Sequence, residues 1–141
     1  MLEWPSRSRG LTLFTYAFCG VFFVWLGLED RSLVIVALLG ASLPAIFLAH
    51  FLLRRFGGAA LPLRKSMLLL SAGGLLVGSL GPLTTAVLMA VKVSLHSDPI
   101  PDYTPEAVLG VVARLPVWAL AGLLVGVALA LWAYTRRTPP A

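Results

Sequence analysis

Apolar residues along this chain come as four unbroken stretches, at about 11–28, 33–53, 67–91 and 117–134, parted by short clusters of charge, glycine and proline. None of the four holds an Asp, Glu, Lys or Arg. At 1.5 Å per residue they predict helices of roughly 27 to 38 Å, against a bilayer hydrocarbon core of about 30 Å. The third is long enough that it must tilt, bend or project beyond the membrane. Helices are the expected form because backbone in lipid has to satisfy its own hydrogen bonds, and the in-out alternation of barrel strands is missing.

The connections predict how the spans follow one another. Glu29, Asp30, Arg31 and Ser32 make a tight turn that joins the first two spans as a hairpin, with Asp30 or Ser32 available to cap the second. Residues 54–66 carry Gly57, Gly58 and Pro62, all turn formers. Residues 92–116 are the only sizeable connection, and 97–103 are too proline-rich for a helix. Thr104, Pro105 and Glu106 then supply an N-cap, a first-turn proline and a first-turn acid, which predicts a short surface helix over about 105–114 before Pro116 begins the last span. The expected fold is all-α: one four-helix transmembrane domain over 1–141, an up-down bundle with a short external helix before the fourth span.

Composition strengthens this picture. The chain is 59% hydrophobic with a mean hydropathy of +0.92, and 12% charged where a soluble domain has about a quarter. A net charge of +5 and a pI near 10.2 would suit nucleic acid in a soluble protein, but the cations flank apolar runs instead of lining one face, so nucleic acid is not the expected partner. They are topology signals in contact with lipid headgroups. Arg7, Arg9, Arg54, Arg55, Arg64, Lys65, Arg136 and Arg137 fall on one side; Arg31, Lys92 and Arg114 fall on the other with most of the acids. The positive-inside bias makes the richer side cytoplasmic and puts both termini there. Trp4, Trp132 and Tyr134 fit the inner aromatic belt, Trp25 and Trp118 the outer one. With no small-x-small cleavage site after Leu28, the first run is expected to be a retained span, and a bacterial inner membrane is the expected location.

Two motifs stand out. Gly-Leu-Leu-Val-Gly occurs twice, bounded by Gly74 and Gly78 and by Gly122 and Gly126, with Ala130 continuing the second stripe. The second span repeats Ala37, Ala41, Ala45 and Ala49, one per turn. Small-xxx-small stripes allow the close van der Waals contact on which helix association in lipid depends, either inside the bundle or toward a second copy or a larger membrane complex. The other motif is a pair of interruptions near mid-membrane, Gly40 with Pro44 and Gly81 with Pro82. Each proline frees a carbonyl four residues back. Together with Thr84 and Thr85 these positions are a candidate hinge or cavity.

Reactive chemistry is sparse. Cys19 is the only cysteine, so no internal disulfide is available. His50 and His96 are expected on opposite sides of the membrane, which disfavours a shared haem. The 92–116 connection offers His96, Asp98, Asp102 and Glu106, but in no spacing of a known metal or catalytic motif. No catalytic, cofactor or metal residue is assigned. The favoured expectation is a non-enzymatic structural or accessory membrane component packing through Gly and Ala faces. Two rivals are a small oligomeric transporter or channel subunit with a pathway near the kinks, and a membrane enzyme using the external loop.

Overall fold

The computed structural model describes residues 1–6, 8–28, 31–96 and 101–135. Arg7, Glu29, Asp30, Asp98, Arg136 and Arg137, with the remainder of 97–100 and 136–141, lie outside the described residues. Among the described residues there are five helices: α1 (Arg9–Gly27), α2 (Leu33–Phe56), α3 (Leu63–Leu95), α4 (Pro105–Ala113) and α5 (Leu115–Thr135). All but α4 are long and apolar enough to cross a membrane.

The third helix is longer than its apolar run. It has 33 residues, about 50 Å of rise, and takes in Arg64 and Lys65 at one end and Lys92 at the other. Charge ended the apolar stretch but not the hydrogen-bonded helix, because the backbone ladder does not depend on hydropathy. Pro62 stands at the N-cap, and at the far end the His96 N–H closes on the Lys92 carbonyl. Ser32 is the residue that caps α2, its hydroxyl accepting from the Ile35 N–H. Thr104 does the same for α4 through the Ala107 N–H, with Pro105 in the first turn and Glu106 beside it. Arg114 is the elbow into α5: its carbonyl accepts from the N–H groups of Val117 and Trp118.

Helix α3 is the axis of the packing, with α2 on one flank and α5 on the other. At the Trp25 end, a buried cluster of Trp25, Val36, Leu39, Leu88, Met89 and Tyr103 is covered by α4 through Ala107, Val108 and Val111. At the opposite end, Trp4 and Leu52 pack with Phe56, Leu61, Leu69 and Ala133. A two-residue strand, β1 (Leu2–Glu3), pairs antiparallel with β2 (Ala60–Leu61) in the α2–α3 connection. That clip holds the N-terminal segment beside the connection, and the Trp4 indole N–H donates to the buried Ser66 hydroxyl at 3.1 Å. Gly58 takes a left-handed φ of 77° in the intervening turn, a conformation that favours glycine.

Candidate functional site

The two Gly-Leu-Leu-Val-Gly segments face each other. A Cβ added at Gly74 would collide with the Gly122 carbonyl oxygen and lie 3.0 Å from the Gly126 Cα; one added at Gly122 would strike the Gly74 carbonyl and come within 2.9 Å of the Gly78 Cα. Gly78 abuts the Trp118 backbone, and Gly126 abuts the backbone of Leu70 and Ser71. Numbering rises on α3 as it falls on α5, so the two helices run in opposite directions with their backbones in contact. Without side chains between them, backbone atoms supply the dispersion that replaces the absent hydrophobic drive in lipid. Ala130 is buried one turn beyond Gly126.

Helix α2 meets α3 differently. Gly40 lies against Thr85: an added Cβ would run into the Thr85 side chain and sit 2.7 Å from its backbone N and Cα. Gly81 has only ordinary contact with Ala41, and Gly73 receives the Leu48 side chain. Of the alanine stripe, Ala41 therefore touches α3 directly. Ala45 and Ala49 flank a lateral groove of about 420 Å³ between α2 and α5, floored by Gly73, Gly74 and Gly78. Ala37 borders a small cavity of about 60 Å³ near Pro82, Thr85 and Arg114.

The proline motifs are tied into the same contact. Pro44 has no N–H to offer the Gly40 carbonyl. The Thr84 hydroxyl of α3 reaches that carbonyl across the interface, as well as the Leu80 and Gly81 carbonyls of its own helix, each at 2.9 Å. One proton serves one acceptor at a time, and the Gly40 oxygen is the acceptor that the helix itself leaves unserved. Thr85, 2% exposed, donates to the Gly81 carbonyl at 2.8 Å. Both helices continue through Pro44 and Pro82.

Ionisable side chains among the described residues make contacts in two further places. At the Trp25 end, Lys92 is fully buried, its ammonium 4.4 Å from the Trp25 ring centroid. Asp102, with its side chain almost wholly covered, lies 3.5 Å from Arg31 and 3.4 Å from His96, whose ring nitrogen also contacts the Lys92 carbonyl. The contacts tether the start of the α4 segment to the end of α3 and to the beginning of α2. The hydropathy pattern does not mark Lys92 as an interior group; four residues before His96, it shares that residue's side of α3. Glu106 stands exposed on α4, away from that cluster's contacts. Among the described residues no three of His, Cys, Asp or Glu come together as a metal site would require.

The second place is between α1 and α2. His50 is half-buried with its Nε2 2.9 Å from the Thr15 hydroxyl, which itself donates to the Leu11 carbonyl at 2.8 Å. Because that hydroxyl has one proton, the pairing is complete when His50 Nε2–H is the donor to Thr15. Arg54 lies one turn beyond, exposed, followed by Arg55; Arg64 and Lys65 are exposed at the start of α3. Cys19 is exposed on α1. Comparison with known proteins yields no matching family, no matching curated relative and no matching solved structure.

Proposed function

We propose that this protein is a small non-catalytic membrane component, an up-down four-helix bundle with both termini cytoplasmic and α4 on the outer side, that acts by binding within the bilayer. A bacterial inner membrane is the setting we assign to it. Supporting this is the contrast between a locked interior and a greasy exterior. Helix α3 meets α5 at backbone distance through Gly74, Gly78, Gly122 and Gly126. The faces turned outward carry Phe14, Phe23, Phe47, Leu124 and Trp132, all exposed. An uncovered apolar surface of this kind is what lipid or partner helices require and what water disfavours.

The contact between glycines carries the proposal: small-residue stripes consumed inside the chain leave larger apolar side chains to meet the surroundings. Thr84 and Thr85 direct their hydroxyls to carbonyls, which favours a packing role over a solute pathway. Orientation rests on the positive-inside bias applied to Arg54, Arg55, Arg64 and Lys65. Two measurements test the proposal together. A reporter fused after Ala141 is expected to be active in the cytoplasm, and liposomes bearing the purified protein are expected to pass ions and small solutes no faster than empty ones. An external reporter overturns the orientation; protein-dependent flux overturns the non-transport role.

A further inference from the structure

Helix α1 stands away from α2 along much of its length, and the two enclose a lateral groove of about 600 Å³. Its lining is graded. Phe22 and Leu43 lie at one end, Phe18 and Phe47 follow, then Thr15 and His50, and Arg54 closes the series. On α2 the spacing from Leu43 through Phe47 and His50 to Arg54 keeps these residues on one face. The axial rise from Leu43 to Arg54 is about 16 Å.

We infer that this groove binds one anionic phospholipid, its acyl chain between α1 and α2 along Phe18, Phe22 and Phe47, and its phosphate on the Arg54 guanidinium. Three observations favour that occupant. The order of chemistry along the groove, cation, then hydroxyl and imidazole, then aromatic hydrocarbon, is the order of a phospholipid from headgroup to tail. Arg54 is exposed, so its planar donor fork is accessible to phosphate, with Arg55 next to it. The Thr15–His50 hydrogen bond ties the two walls together at the polar end. The inference rests on the proposal that α2 spans the bilayer, with Arg54 at the headgroup layer.

The test uses the full chain in phosphatidylcholine nanodiscs, then released into the gas phase for native mass spectrometry while phosphatidylglycerol is titrated in. The expected result is one retained phosphatidylglycerol per protein, preferred over phosphatidylcholine by about tenfold, the scale of one charge-assisted contact. Arg54→Gln should remove most of that preference, and Cys19→Trp, which fills the groove wall, should remove the retained lipid altogether. Arg64→Gln changes a cation outside the groove and should leave both unchanged. Equal retention of the two lipids by the unaltered protein overturns the site, as does a preference that survives Arg54→Gln. Failure of the protein to enter nanodiscs at all overturns instead the membrane-spanning proposal beneath it.

Discussion

The α3–α5 seam and the α1–α2 edge lie in one molecule and are built on opposite plans. Along the seam, four glycines let two backbones touch, and every added methyl group would meet a carbonyl or a Cα atom. Along the edge, Gly20 and Gly27 of α1 have nothing within 4 Å of an added Cβ, and only Trp25 of that helix is buried. Both regions are equally apolar by composition. What separates them is side-chain volume at the interface: glycine permits close approach, whereas Phe18, Phe22 and Phe47 hold helices apart and leave grooves between them. In lipid, where apolar surface gains nothing merely by leaving solvent, that steric difference decides which helices form a rigid unit and which remain loosely attached.

Substitutions that break the contrast should differ in size. Gly122→Leu is expected to be the most damaging, destabilising the protein by about 3 kcal/mol because the obstacle is backbone on the facing helix. Gly20→Leu on α1 is its control and should stay within about 0.5 kcal/mol. Reversible unfolding in mixed micelles measures both; similar losses for the two would erase the distinction.

Lys92→Met comes next. It keeps much of the side-chain volume but removes the charge held over Trp25, and should cost about 2 kcal/mol, the scale of a desolvated cation–π contact. Loosening should appear first in α1, as faster proteolysis near its ends with the α3–α5 pair still intact. Cleavage that begins within α5 would contradict the link between Lys92 and the edge.

Thr84→Val is expected to be the mildest of the three destabilising changes, at about 1 kcal/mol, since hydrogen bonds between membrane helices contribute modestly. Its value lies in a cycle with Pro44→Ala. Restoring an N–H at position 44 gives the Gly40 carbonyl a partner inside α2, so Thr84→Val should cost less in that background. Strict additivity of the two changes would show that the hydroxyl does not serve that carbonyl.

The four spans were readable because hydrocarbon thickness demands about twenty apolar residues in a row and the chain contains four such runs. The caps were readable for a similar reason, as Ser32 and Thr104 act on donors only three residues away. The extent of α3 was not. Lys92 ends an apolar run yet lies within the helix, because Trp25 from α1 covers it and α4 closes over the same end. Which glycines would meet was equally hidden: repeated pentapeptides at 74–78 and 122–126 announce close packing but do not name the partner. The candidate hinge residues turned out to be joined across the helix pair, with Thr84 facing Gly40 and Thr85 filling the space at Gly40. His50 faces Thr15, a contact between residues 35 apart that no local pattern encodes.

By itself, then, the order of residues determined four apolar helices, their caps, and the stripes of small side chains along them, since each depends on backbone hydrogen bonding and on neighbours within a turn or two. Only the tertiary structure decided that Gly74 and Gly78 would meet Gly122 and Gly126, that Thr84 would serve the carbonyl left by Pro44, and that α1 would leave a groove ending at Arg54. The reason is physical: lipid makes every apolar helix face nearly equivalent, so pairing follows from shape and from a few polar contacts between distant residues, which appear only when the helices are brought together.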